Sequence, residues 1–220
     1  MNVDYSKSSK SFWGRLLWSL IHTFGSNATT SKKARHYRMW MDSLSALLPC
    51  DTCINHLREN LLKRPLEEAL KKGDSALRWS YDLHDDVNRQ LKKISPVWKT
   101  VREYYRPSRT AKRAFHLDIV MNSLKLIAFS YKPETKSDMI RFFVLTINLI
   151  PSYDLKNLIH AFTKTYDMRI YLLTNEDMFY YTYMLDQYIN KDIGNPILGI
   201  IDQKKFFKGK FDTSCKSCQV

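Results

Sequence analysis

The chain has 220 residues, 44% hydrophobic and 13% aromatic, with a formal net charge of +13 and a mean hydropathy of −0.40. That is enough apolar material for a substantial core in one or two small domains. No apolar run approaches the ~20 residues a membrane-spanning helix needs, and the opening MNVDYSKSSKSFWGRLLWSL does not read as a secretory signal.

Helix signals run from one end to the other, and six glycines leave little material for hairpin turns. Phe12, Leu16, Leu17, Leu20, Ile21 and Phe24 recur at helical spacing and predict a first helix. GSNATTSKK is a loop whose Ser or Thr caps a second helix over about residues 32–48, carrying Tyr37, Met41, Leu44 and Leu48. Pro49 breaks it, and a third helix starts at or near Cys50. A fourth covers roughly 75–93, with Leu77, Tyr81, Leu83, Val87 and Leu91 on its apolar side, and a short fifth, VWKTVREYY, runs to Pro107. Helices with such short links form a bundle, and bundles build cofactor sites from inward side chains on facing helices. After the basic linker RPSRTAKR, residues 115–131, 136–150, 154–165 and 175–190 predict four more helices, read as a second all-α domain. The closing DQKKFFKGKFDTSCKSCQV is polar and basic and predicts a mobile tail.

The charge is uneven: residues 1–110 hold 20 Lys/Arg against 11 Asp/Glu. A basic N-terminal half suits an anionic partner such as a nucleotide cofactor or nucleic acid, although solvated basic helix faces explain most single lysines equally well. All four cysteines fall in two pairs of identical spacing, Cys50/Cys53 and Cys215/Cys218. Such pairs suit a zinc site, a structural disulfide or a redox dithiol. The long separation of the pairs counts against a zinc ribbon. A helix N-terminus after Pro49 stabilises a thiolate at Cys50 or Cys53, which suits thiol–disulfide exchange, though a zinc knuckle can use the same turn.

The neighbours separate these readings. WGRLLWSLIH sets Trp18 and His22 one turn apart on one helix face, with Arg15 a turn earlier. RWSYDLHDDVNRQLKK places Trp79, His84 and Asn88 on another helix, with Leu91 and Lys92 continuing that side. Taken singly, each tryptophan or histidine is more often a core residue than a ligand contact. Together they suit an aromatic, hydrogen-bonding ligand better than a metal.

Gly14, Arg15, Trp18 and His22 match, position for position, the Gly-Arg, Trp and His signature of the Erv/ALR flavin-linked sulfhydryl oxidases, which this segment resembles. LPCDTC resembles that family's Pro-Cys-x-x-Cys active site. HDDVNRQLKK resembles its His-Asn-x-Val-Asn-x-x-Leu element, with His84, Val87, Asn88 and Leu91 in place and Lys93 at a basic position that reaches cofactor phosphates. Order and separations agree over about residues 12–106. In three places the chain departs from the pattern. Asp85 stands where the motif has Asn. The family's additional disulfide, which tethers the fifth helix, falls at Tyr81 and Trp98, so packing must replace it; Tyr105 stands in for a Trp near the end of the domain.

The resemblance implies an all-α protein. Its four-helix bundle with a short fifth helix occupies residues 1–107 and binds FAD; a helical domain of unknown role covers 108–205, and a flexible tail 206–220. It implies a cofactor site of Gly14, Arg15, Trp18, His22, Trp79, His84, Val87, Asn88, Leu91, Lys92, Lys93 and Tyr105, and no metal. Cys53 is the implied flavin-proximal thiol and Cys50 the outer thiol that exchanges disulfides, with electrons passing to dioxygen and hydrogen peroxide as product. Cys215 and Cys218 are the implied shuttle pair, acting within a chain or across a dimer. The expected partners are protein dithiols, dioxygen and a second copy in a homodimer, with no membrane and no nucleic acid. A catalytic domain followed by an unfamiliar helical one looks like the oxidases of large DNA viruses, which implies a virion or host-cytoplasm location. Two other classes compete. A zinc-linked, basic nucleic-acid-binding protein using both Cys pairs predicts bound zinc and steep salt dependence; a degenerate bundle serving only as a scaffold predicts no activity.

Overall fold

A computed structural model describes residues 12–106, 113–193 and 199–214. Its elements are α-helices joined by short links. The N-terminal segment contains α1 (Phe12–Asn27), α2 (Ser31–Leu47), α3 (Asp51–Lys63), α4 (Leu66–Lys71), α5 (Ala76–Gln90) and α6 (Trp98–Tyr104). The C-terminal segment contains α7 (Arg113–Phe129), α8 (Lys136–Leu149), α9 (Tyr153–Thr165), α10 (Asn175–Ile193) and α11 (Ile200–Ser214). Polar caps start the helices where the sequence places them: Thr30 accepts from the Lys33 N–H at 3.3 Å and Ser75 from the Arg78 N–H at 3.1 Å. Pro65 interrupts the third expected helix, and the chain resumes as the one-and-a-half-turn α4 before Gly73, at φ +84°, turns it into α5.

The apolar positions of α1 span an arc of roughly 180°, at ~100° per residue, which is wider than one neighbour can cover. Accordingly α1 packs against α5 and α2 and also against α7 and α11. Gly25 permits the close approach to α5: a Cβ there would meet the Ala76 carbonyl oxygen at 3.0 Å. The most extensive packing is between α2 and α8. Trp40, fully buried on α2, donates its indole N–H to Thr146 Oγ1 at 2.9 Å and stacks on Phe142 with ring centroids 5.5 Å apart.

These contacts alter the expected domain organisation. One continuous apolar core runs from Phe12 and Leu20 through Trp40 to Phe142, Tyr181 and Phe207. The two helical segments therefore pack as one body rather than across a loose linker. The expected mobile tail from residue 206 is also corrected, because α11 continues to Ser214 and buries Phe207 among Phe12, Phe129 and Phe179. Four residues earlier, Gln203 accepts from the buried Lys125 ammonium at 3.1 Å, and Lys125 pairs with Asp186 at 2.7 Å. A stripe of one Gln and one Phe at i, i+4 on an otherwise Lys-rich helix is too narrow to show in composition. Cys215 and Cys218 lie outside the described residues.

Where the resemblance puts an additional disulfide, aromatic packing stands instead. Tyr81 and Trp98 lie 5.3 Å apart, Tyr81 donates its hydroxyl to the Pro96 carbonyl at 3.0 Å, and the Arg78 guanidinium covers both rings at 5.5 and 5.1 Å. This clamp docks α6 on α5 without a redox-sensitive bond.

Phe207→Ala is expected to destabilise the full chain by about 3–5 kcal/mol, the ordinary loss for a buried Phe, as read by denaturant unfolding. An unchanged midpoint would show that α11 is not part of the core.

Candidate functional site

The links fix which residues share one end of the bundle. α1 and α2 are joined by three residues and run antiparallel, so α2 returns to the N-terminal end of α1 and delivers the Cys50 turn there. α5 is also antiparallel to α1: Gly25 approaches Ala76, His22 meets Ser80 and Trp18 meets His84. Its C-terminal half and the turn that follows therefore carry Asn88, Lys92 and Lys93 toward the same end as Gly14, Arg15 and the cysteine pair.

Trp18 lies flat on His84, with ring centroids 4.0 Å apart and an interplanar angle of 3°. His22 Nε2 is 3.0 Å from His84 Nδ1, and His22 Nδ1 is 2.9 Å from Ser80 Oγ. Tyr105 caps the pair from beyond α6, 5.2 Å from the His22 ring. Burial, and then the facing His84, hold the His22 imidazole down to about 3. Burial, then Lys93, hold His84 down to about 4 against the opposing pull of Asp85. Both rings are therefore neutral at pH 7.

α5 ends in a Schellman turn. Lys93 N–H donates to the Asn88 carbonyl at 2.8 Å and Lys92 N–H to the Arg89 carbonyl at 3.0 Å. Lys92 occupies the left-handed position at φ 54°, where glycine is ordinarily found. Among the described residues it is the one non-glycine there. Asn88 donates to Ser95 Oγ at 3.0 Å. Asp85, at the position that differs from the motif, is held below the usual carboxylate range by Ser95 first and by Arg89, 2.8 Å away. Asp85 and Asn88 thus anchor the 91–97 loop. That loop presents Leu91, Val97 and the 99%-exposed Ile94 beside the two lysines.

Cys50 is the N-cap of α3, where its sulfur accepts from the Cys53 N–H at 3.3 Å. It is only 8% exposed, whereas Cys53 is half-buried. The thiol expected to be outer is thus the less accessible of the two. It turns into the helix start, and the adjacent Asp51 is held at 3.4 Å by Lys132 from the α7–α8 link. Trp79, expected beside the cofactor, faces elsewhere. It is buried edge-on to Tyr37 and donates its indole N–H to the Arg64 carbonyl at 2.8 Å, on the side of α5 that packs toward α3 and α4. Val87 is half-buried and Arg15 is exposed. A Cβ on Gly14 would meet nothing within 4 Å, so open space adjoins the Arg15 and Trp18 face.

These side chains fit a flavin dinucleotide. An aromatic plate, two neutral imidazoles and cations at the rim suit stacked rings, N–H groups and a pyrophosphate. Among the described residues no group of three or more His, Cys, Asp or Glu side chains could hold a metal, and no helix is long and apolar enough to cross a membrane. Ser80 and Ser95 were not singled out in the sequence. Ser80 was detectable as the residue one turn before His84 on the face shared with Asn88.

Residues 15–106 match the Erv1/Alr family. An FAD-linked sulfhydryl oxidase of African swine fever virus is 27% identical over 99 residues, 44% of this chain and 82% of the viral protein. A probable FAD-linked sulfhydryl oxidase of Acanthamoeba polyphaga mimivirus is 31% identical over 81 residues, 34% of this chain and 56% of that protein. An FAD-linked sulfhydryl oxidase of Arabidopsis thaliana is 29% identical over 84 residues, 37% of this chain and 43% of that protein. No solved structure matches the chain.

A histidine whose folded value is depressed below ~6.5 takes up its proton mainly on unfolding, so stability present at neutral pH is lost as pH falls from ~6.5 toward the folded values. The thermal unfolding midpoint is therefore expected to drop steadily between pH 7 and 5; a flat profile would contradict a buried neutral pair. Lys92→Gly is expected to raise stability by up to ~1 kcal/mol by relieving the left-handed backbone, while weakening binding of an anionic ligand. Calorimetry of the same variant checks both effects.

Proposed function

We propose, from the match of residues 15–106 to the Erv1/Alr family, that this chain is an FAD-dependent thiol oxidase that forms disulfides in substrate proteins. The observation that carries the reading is the neutral, stacked Trp18–His84–His22 cluster between α1 and α5 of the bundle that also bears the Cys50–Cys53 turn.

Trp18 and His84 would provide the flat surface for the cofactor's rings. Arg15, Lys92 and Lys93 would offset its pyrophosphate charge, with Gly14 leaving room and Asn88, Val87 and Leu91 shaping the α5 side. Tyr105 would exclude water from the histidine pair. A substrate dithiol attacks the oxidised Cys50–Cys53 pair, one sulfur displacing a thiolate to form a mixed disulfide; its second thiol then resolves that bond, leaving substrate disulfide and two reduced cysteines. Cys53 would be the thiol next to the cofactor and Cys50 the one that exchanges. Bound FAD supplies the two-electron acceptor that reoxidises the pair, with dioxygen reduced to hydrogen peroxide.

Because Cys50 is buried beside the Asp51–Lys132 contact, an extended thiol reaches it more readily than a folded surface does. This supports a relay role for Cys215 and Cys218, which follow directly on α11. The homodimer implied by the family resemblance would need a surface other than the α1–α2 face, which α7 and α8 already cover. The likeness to oxidases of African swine fever virus and mimivirus supports a viral protein acting in the virion or host cytoplasm.

The purified chain is expected to show a flavin band near ~450 nm and to consume oxygen with dithiothreitol, and Cys53→Ala is expected to abolish turnover while keeping the colour. Cys215→Ser/Cys218→Ser is expected to retain turnover of dithiothreitol and lose that of a protein dithiol. A colourless protein carrying zinc would overturn the assignment.

A further inference from the structure

Ser80 is completely buried on α5, one turn before His84. Its Oγ lies 2.8 Å from the Leu77 carbonyl oxygen, an atom that can only accept, so the single hydroxyl proton is committed there. Toward His22 Nδ1, 2.9 Å away, Oγ is then an acceptor, and Nδ1 must carry the imidazole proton. The neighbouring Tyr37 hydroxyl, also hydrogen-bonded with Ser80, gives its own proton to the Ile21 carbonyl at 3.0 Å and so can only accept from Ser80, which leaves Oγ an acceptor toward His22 in either case. A neutral His22 protonated on Nδ1 has a bare Nε2. That atom faces His84 Nδ1 at 3.0 Å, so His84 must donate from Nδ1 and its own Nε2 is left as a lone pair.

We propose that Ser80 is a positioning residue of the cofactor site: through two histidines it fixes the tautomer of His84, so that His84 Nε2 meets the ligand as a hydrogen-bond acceptor and never as a donor. The inference rests on the FAD reading for the identity of the ligand, but the proton order follows from this chain alone. An acceptor at that point selects an N–H or O–H edge of FAD and rejects a carbonyl or phosphate oxygen, which would leave two lone pairs facing each other.

The test is a long-range proton–nitrogen correlation spectrum of the full chain with 15N-labelled histidine at pH 7, with and without added FAD, alongside the FAD dissociation constant. In the wild type both rings are expected to show protonated Nδ1 and unprotonated Nε2. Ser80→Ala is expected to release that order, giving His84 a protonated or averaged Nε2 and weakening FAD binding about 10-fold, the scale of one lost buried hydrogen bond; Ser80→Thr is expected to restore both. A wild-type His84 protonated on Nε2 overturns the proposal, and that spectrum decides even if Ser80→Ala does not fold. Unchanged nitrogen shifts and affinity in Ser80→Ala overturn it as well. The expected tautomers in a wild type that binds no FAD would support the relay and overturn the cofactor reading instead.

Discussion

The hydrogen bond between His22 and His84 is the constraint on which the site depends. It joins α1 to α5 inside the protein, between two rings that are both neutral at pH 7. Burial enforces that neutrality by penalising the charged form. The burial in turn comes from the close α1–α5 approach at Gly25 and from the Tyr105 cover carried in by α6. Trp18 can lie flat on His84 because the latter is locked edge-on by its bond to His22. The plate offered to a ligand is therefore held by a chain of contacts that begins at a buried serine.

The second segment acts on this site by bracing it. α1 has apolar side chains over about half its circumference, and α2 carries a tryptophan that α1 alone cannot cover. α7 and α8 supply the missing surfaces, and the Trp40–Thr146 bond fixes their register where a purely apolar contact could slide. The same packing places the α7–α8 link beside Asp51, next to the cysteine turn. The helical extension therefore touches the cysteine turn as well as stabilising the bundle.

Strain and exposure concentrate at the rim. Lys92 sits in a backbone conformation that glycine would adopt at no steric penalty, and Leu91, Ile94 and Val97 are exposed around it. In the interior, by contrast, the Lys125–Asp186–Gln203 cluster satisfies a buried charge and secures α11. The strained residue thus lies at the surface and the satisfied ones in the core.

The local pattern of the chain determined the helices, the N-terminal position of the cysteine pair and the grouping of Trp18, His22, His84 and Asn88, because each depends on spacings within one or two turns. The Tyr81–Trp98 contact was also legible, as the place where packing had to replace a tether. Tertiary structure decided the rest. Trp79 and Trp18 look alike in sequence, and only the packing of α1 and α5 separates a core anchor bonded to Arg64 from a half-buried ring stacked on His84. Whether 108–214 forms its own domain or completes the first core depends on which faces of α1 and α2 remain uncovered, and that is a property of several helices at once. The role of Ser80 lies furthest from the sequence. A serine on a helix becomes a proton-order device only when its own hydroxyl is committed to the backbone and a histidine from another helix is brought within 2.9 Å.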